Sequence, residues 1–376
     1  MAELFFWISA FTILYTYAGY PFLLGILSLF KRQQAVPLKM EPTVSLVLSV
    51  YNEEKGIEEK LGNLREIDYP SDKLEILVGS DGSTDQTVEL LEKSGLKGMQ
   101  LFVYSERRGK AAVVNDLVRE ALGEVVVFSD ANSLFRVDTL RNLVNPFAES
   151  GVGAVSGELV LLSPGNIGES LYWKYETVVK RLESRVGTLV GATGGVYAIR
   201  RSLFHPLPLD RAIADDFMIP MRVLEQGYRV AYEPAAVASE TAEETVAREF
   251  RRKVRIGAQN FNALRYVSAM LNPLRGFVAF ALWSHKVIRW IVPVSLLVLI
   301  SATALLYSPG GPFASILYGE ILFFALGAFG FVGERRNFRS PVVVLPYYFL
   351  AMNAALLLGL LKSISGTQTP AWEVRR

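Results

Sequence analysis

The 376-residue chain is 51% hydrophobic and 20% charged, with a net charge of +2. It contains no cysteine and only two histidines, His205 and His285, which excludes disulfides, thiolate metal sites, a cysteine nucleophile and a multi-histidine zinc site. Any metal must therefore be a hard cation on oxygen ligands, and the small net charge gives no reason to expect a nucleic-acid partner.

The apolar residues are concentrated at the two ends. Leu4 to Phe30 carries no charge and, at about 1.5 Å per residue, is long enough to cross a bilayer core of about 30 Å. It is too long for a signal peptide, no basic residues precede it, and no small-residue cleavage pattern follows. Lys31 and Arg32 come directly after it, so the positive-inside rule predicts an outside N-terminus and a cytosolic continuation. This gives a first unit over residues 1–32, followed by linker-like Gln33 to Pro42.

From Val44 short apolar runs alternate with helical stretches: VSLVLSV, a helix near Ile57 to Leu64, LEILVGS, a helix near Gln86 to Lys93, LFVY, a helix near Ala111 to Ala121, and VVVFSD. Apolar strands with a helix between each predict an α/β domain, a parallel sheet covered on both faces. Ligands of such sheets bind at the carboxyl ends of the strands, beside a change in strand order. The polar tails SDGSTD and SDANS fall on that rim. The domain is expected over residues 33–265.

Residues 266–376 form the third unit. Phe277 to Trp283, interrupted by Ser284-His285-Lys286, predicts an interfacial helix. Ile291 to Tyr307, Phe313 to Val332 and Val342 to Leu361 predict membrane spans. The uncharged turn Ser308 to Pro312 suits the outside, and Glu334 to Arg339, with three arginines, suits the inside. Strict alternation would then expel the tail bearing Lys362, Arg375 and Arg376, so the last segment, with Pro346 and Asn353, is expected to be re-entrant or interfacial.

Six segments carry candidate chemistry. Tyr51-Asn52-Glu53 ends the first strand, where a planar base could stack and hydrogen-bond, although Asn52 could equally cap a helix. Asp81 opens the turn before Ser83-Thr84-Asp85; helix capping accounts for the latter three and leaves the Asp81 carboxylate open to ribose hydroxyls. Lys110 begins a helix beside Arg107 and Arg108, a cation opposed to the macrodipole that a diphosphate would relieve, unless the run is simply solvated. Asp130 and Asn132 end the fourth strand two residues apart, side chains pointing the same way, and together could bridge Mg2+ or Mn2+ to phosphates or merely close an Asx turn. Asp215 and Asp216 precede a helix, either as a cap or as a pair whose mutual repulsion raises one pKa for general-base work. In the basic stretch R-E-F-R-R-K-V-R-I, an arginine could clamp a diphosphate or an anionic lipid head.

In this order the segments resemble the family 2 glycosyltransferases of GT-A fold, especially the membrane-embedded relatives of cellulose, chitin and hyaluronan synthases. The resemblance covers about Val44 to Arg265 and the flanking membrane architecture. It implies that Tyr51, Asn52, Glu53 and Asp81 line the nucleotide pocket and that Lys110 lies by the base or diphosphate. Asp130 would be the metal ligand, Asn132 standing where the family has a second Asp. Gly194 and Gly195, in G-A-T-G-G-V-Y-A-I-R-R, match the loop beneath the acceptor. Asp216 matches the catalytic Asp of the family's Glu-Asp pair, with Asp215 in the Glu place. The family's Gln-x-x-Arg-Trp appears as Arg252-Lys253-Val254-Arg255-Ile256: Arg255 keeps the phosphate role, and Ile256 offers no ring to a terminal sugar. The implied activity is inverting transfer from a UDP-sugar, with Mg2+ or Mn2+, to a hydroxyl of a lipid-linked or polysaccharide acceptor. It would occur at the cytosolic face of the cell's inner membrane, one sugar at a time or processively. A polyprenyl-phosphate glycosyltransferase and an inactive partner of a synthase complex are the alternatives.

Overall fold

A computed structural model describes the chain except residues 32–38, 163–166, 242–244, 335, 337, 339 and 367–376. Arg32, most of the expected linker, Arg335, Arg339, Arg375 and Arg376 thus lie outside the described residues.

The strands are β1 (Val44–Val50), β2 (Leu74–Asp81), β3 (Met99–Tyr104), β4 (Val125–Ser129), β5 (Leu134–Phe135), β6 (Val152–Leu161), β7 (Tyr197–Arg200) and β8 (Arg229–Glu240). They form one sheet in the order β3-β2-β1-β4-β7-β6-β8-β5. As expected, β1 to β4 are mutually parallel where they pair, and the chain crosses from β3 back over β1 to reach β4. That reversal opens the crevice between β1 and β4 in which such sheets bind ligands. The second half departs from the all-parallel expectation, because β7 runs antiparallel to both β4 and β6, and β5 antiparallel to β8.

Alternation along the strands divides the core between two faces. Val47, Leu77, Val126 and Phe128 pack on one side against Val113 and Leu117 of α4 (Lys110–Glu120) and Phe217 and Met218 of α7 (Asp215–Glu225). Leu46, Leu48, Ile76 and Val78 pack on the other against Ile57, Leu61 and Leu64 of α2 (Ile57–Arg65) and Leu91 of α3 (Thr87–Lys93). Helix α5 (Thr139–Val144) adds Leu140 and Leu143 to this second face.

Four helices are long and apolar enough to cross a membrane: α1 (Ala2–Leu29), α9 (Phe277–Leu305), α10 (Pro312–Glu334) and α11 (Pro341–Ser365). Two amphipathic helices, α6 (Ile167–Val186) and α8 (Val246–Tyr266), lie between them and the sheet. Helix α9 corrects the expectation of a separate interfacial segment, since Ser284-His285-Lys286 does not interrupt it. The chain widens to π-helical turns over Leu282–Val287 and continues. There Ser284 hydrogen-bonds Tyr15 at 2.7 Å, and His285 is buried against Glu183 at 2.8 Å and Glu176 at 3.3 Å. Ser284 and His285 thus find partners inside the protein instead of ending the helix. Helix α11 likewise runs without a break through Pro346 for 25 residues, which is not a re-entrant conformation.

Helix α11 is seated on α8 at Gly359, where a Cβ would stand 2.9 Å from both the Ala258 nitrogen and the Val254 carbonyl oxygen. Backbone atoms cannot yield as a side-chain tip can. We expect Gly359→Val to lower stability by about 1–3 kcal/mol, the usual penalty of overpacking, read as a fall in melting temperature of the detergent-solubilised chain; Gly310→Val, at a turn with open space, would also be strained by its backbone, so Gly319→Val, with no neighbour within 4 Å, is the control.

Candidate active site

The loops after β1 and β2 are tied to each other before any ligand is considered. Asn52 adopts a left-handed backbone conformation with φ 52°, which asparagine tolerates, and its Oδ1 accepts the Thr84 N–H at 2.8 Å. Ser83 Oγ accepts the Asn52 N–H at 3.2 Å, and Thr87 Oγ1 accepts the Glu53 N–H at 2.8 Å. Tyr51 and Glu53 line a cleft of about 370 Å³. Arg107 lies over the Tyr51 ring, 3.9 Å from its centre, so a base can use only the other face.

Asp81 is placed differently from its neighbours. It is 2% exposed, and its two oxygens accept the N–H groups of Arg108 at 2.7 Å and Gly109 at 2.8 Å. The carboxylate buckles the loop before α4 onto the end of β2 and lies beneath the cleft wall.

Lys110, first residue of α4, reaches 2.8 Å from Asp130 at the end of β4 and 3.1 Å from Asp215 at the start of α7. These two carboxylates offset the unfavourable position of a cation at a helix N-terminus. They outweigh the burial that would otherwise lower the Lys110 pKa, and hold it above its usual value. The adjacent aspartates are thereby divided. Asp215, 9% exposed, is committed to Lys110 and to the Tyr197 hydroxyl at 3.2 Å. Asp216 has no side-chain hydrogen bond or ion pair among the described residues, and it lines the cleft. Burial, reinforced by the Asp215 charge, pushes its pKa up to about 6.

Gly194 and Gly195 let their loop lie against this group. A Cβ at Gly194 would stand 3.1 Å from Asp216 Oδ2, and one at Gly195 would overlap Ser133 Oγ at 2.1 Å. Asn132, Arg255 and Ile256 also line the cleft. The structure therefore brings together Tyr51, Glu53, Lys110, Asp130, Asn132, Gly194, Gly195, Asp215, Asp216 and Arg255. Asn52 and Asp81 shape its wall from behind.

Sequence reasoning passed over Lys60. It is fully buried under the Asp130 loop, where its ammonium donates to Ser129 Oγ at 2.7 Å and to the Ser133 carbonyl. Burial pushes its pKa down to about 7. A signal existed: Lys60 falls three residues from Ile57 and four from Leu64, on the apolar stripe of α2. Glu240, which accepts from Ser133 Oγ, was also missed, lying at the far end of a strand with no motif around it.

Residues 45–205 match the model of the glycosyl transferase family 2. They are a family 2 glycosyltransferase domain. The chain is 27% identical over 221 residues to the poly-beta-1,6-N-acetyl-D-glucosamine synthase of Staphylococcus aureus (strain COL), which covers 56% of this chain and 53% of that one. It is 25% identical over 260 residues to the probable glycosyltransferase YdaM of Bacillus subtilis, covering 65% of this chain and 62% of the relative. The chain thus spans little more than half the length of these curated relatives. Among solved structures, the mannosyltransferase PcManGT from Pyrobaculum calidifontis, in complex with GDP-Man and Mn2+, superposes over 98% of this chain and 100% of its own. The TM-score is 0.74 and the identity 25%. The glycosyltransferase domain accordingly has the GT-A fold expected from the sequence, flanked by candidate membrane helices.

No group of three or more Asp, Glu, His or Cys side chains among the described residues forms a metal site by itself. Asp130 and Asn132 nevertheless suit a divalent cation completed by substrate phosphates, the usual arrangement for Mg2+. Both offer oxygens to the cleft, and Asp130 already holds a cation there in the form of the Lys110 ammonium. The glycosyltransferase domain supports that loop through Lys60. Replacing Lys60 with Met strands the Ser133 carbonyl, at a cost of about 1–3 kcal/mol. We expect K60M to melt earlier, with Mn2+ affinity in the presence of nucleotide weakened at least threefold by calorimetry; unchanged affinity would dissociate Lys60 from the loop's function.

Proposed function

We propose that the chain transfers a sugar from a nucleotide-diphosphate sugar, a UDP-sugar by the sequence reading, to a hydroxyl of a membrane-associated acceptor, with inversion at the anomeric carbon. Residues 33–265 would act at the cytosolic membrane face, between the N-terminal helix over 1–32 and the helices of 266–376. The full-length superposition on a mannosyltransferase holding GDP-Man and Mn2+ supports the donor class. The observation that carries the reading is the uncommitted Asp216 carboxylate in a cleft whose other charged groups are largely paired.

In this reading the base is held by Tyr51 and Glu53, with Asn52 and Asp81 keeping their loops in place. A divalent cation on Asp130 and Asn132 would supply positive charge to the diphosphate. Lys110 and Arg255 would bind the phosphates and stabilise the charge that develops on them. Gly194 and Gly195 form the floor on which the acceptor rests. The acceptor oxygen attacks the anomeric carbon from the side opposite the diphosphate. The bond from that carbon to the phosphate oxygen breaks, the nucleoside diphosphate leaves with the electron pair, and the hydroxyl proton passes to Asp216. Asp215 keeps Lys110 and Asp216 in register.

A carboxyl pushed up to about 6 is a stronger proton acceptor than an ordinary one yet is ionised at neutral pH. Asp216→Asn should therefore retain nucleotide binding and lose transfer by about 10²–10⁴-fold, measured as nucleoside diphosphate release over a panel of UDP- and GDP-sugars with Mn2+ and extracted lipids. Near-normal release by that variant rules out the assigned base and favours an already anionic nucleophile. Protonation disables the base, so turnover should fall as pH drops through about 6, the pKa of Asp216; a rate flat between about pH 5 and 8 contradicts the assignment.

A further inference from the structure

Beyond the donor end, the cleft continues toward the membrane helices and changes character. Lys180 on α6 and Lys286 on α9 line it there, near enough to Asp216 for their charges to interact, and Arg211, on the loop before α7, and Tyr172 line the same cleft. Lys286 and Arg211 have no hydrogen bond or ion pair among the described residues. Lys180 is held at 2.7 Å from the hydroxyl of the buried Thr193 and has no carboxylate partner. The nearby acid Glu176 favours the Lys180 ammonium, but it also carries Arg289 and His285, so one carboxylate is shared among several cations. Burial lowers the pKa of Lys180, Glu176 opposes that, and the two lysines lie close enough to each other, and to Asp216, that Lys286 disfavours the Lys180 ammonium and Asp216 favours it.

Half-buried ammoniums without a carboxylate of their own are costly in a protein wall, even though Lys180 has the Thr193 hydroxyl and the Trp173 ring, 5.5 Å away, as neighbours, and a cation beside a general base works against proton uptake. A neutral sugar acceptor would benefit from neither. An anion placed between the lysines resolves both. We propose that Lys180 and Lys286, assisted by Arg211, form a subsite for a phosphate carried by the acceptor next to its reacting hydroxyl. This rests on the reading of the cleft and of Asp216 given above. Because Asp215 and Asp216 equip the site for a hydroxyl nucleophile, the phosphate is a handle and not the attacking group.

The position of Lys286 favours a phosphate tethered to lipid. It stands in the π-helical turns of a helix apolar enough to span a membrane. On the same helix, three residues earlier, Trp283 is 40% exposed, and Leu274 just before the helix is 92% exposed, so apolar surface is available on this segment of the chain. An isoprenoid or acyl chain could lie along that surface while its phosphate reaches the lysines.

The test uses the full chain in detergent micelles, saturated with the nucleoside diphosphate it binds and Mn2+, so that the donor site is filled. Binding of farnesyl diphosphate, farnesol and inorganic pyrophosphate is followed by calorimetry. We expect farnesyl diphosphate to bind at least tenfold more tightly than farnesol. Lys286→Gln and Lys180→Gln should each remove at least fivefold of that preference, with Lys286→Arg restoring it. Tighter binding of farnesyl diphosphate than of pyrophosphate supports a lipid-borne phosphate, and equal binding of the two supports the subsite with a soluble phosphate ester as its ligand. Equal affinity for farnesol and farnesyl diphosphate overturns the proposal, as does an undiminished preference in both glutamine variants. A loss of nucleoside diphosphate affinity in those variants would assign the lysines to the donor and also overturn it. Failure of the transferase reading is seen separately, as absence of nucleoside diphosphate binding by the unmodified chain.

Discussion

Lys110 joins two carboxylates that the chain brings from distant places, Asp130 from the end of a parallel strand and Asp215 from the start of a helix 85 residues later in the sequence. Three elements of the cleft, β4, α4 and α7, meet at that junction. It fixes α4 to the rim of β4 and sets the first turn of α7, and so it decides which aspartate of the adjacent pair remains unpaired. Two carboxylates and one ammonium, partly withdrawn from water, make a unit that is costly to dismantle one member at a time, because each removal strands a charge. The arrangement therefore resists rearrangement of any single member.

Much of the domain was legible because its strands are short apolar runs bounded by polar tails, so that β1, β2 and β4 fall within a residue or two of their expected limits. The rim residues followed, since alternation and strand direction place Tyr51, Asp130 and Asn132 at the carboxyl ends without any knowledge of the partner strands. What stayed hidden depends on contacts across the sequence. The antiparallel β7 is four residues long and gives no period to read. Lys60 is a cation on an apolar stripe, and only the carbonyl of Ser133 above it explains why it is there. Asp81, a strand-end acid at the rim, is open to ribose hydroxyls by sequence alone; that two backbone N–H groups of the next loop bind it depends on a contact with no local signal.

The same dependence explains the misread start of α9. Ser284-His285-Lys286 interrupts an apolar run, and in isolation polar residues at that point end a span. In the folded chain His285 is enclosed by Glu176 and Glu183 of α6, and Tyr20 of α1 donates to Glu183 at 2.6 Å. Arg289 closes the cluster on Glu176. The polar residues are thus the rivets between two membrane helices and the amphipathic helix that walls the cleft. Through α6, which also carries Lys180 and Tyr172, the membrane helices and the acceptor end of the cleft form one assembly.

That assembly bears on how far a family pattern can be read residue by residue. The matched family segment ends at residue 205, whereas Asp215, Asp216 and Arg255 all lie beyond it, in the part of the chain that meets the membrane helices. Ile256 offers no ring to a terminal sugar. Yet Tyr172 and Trp173 of α6 line the same cleft as Ile256, so aromatic surface for a sugar face is present, supplied from a different helix. The lining of the cleft is supplied jointly by α6, α8 and α9, so its character follows from helices far apart in the sequence and not from one residue of the basic stretch.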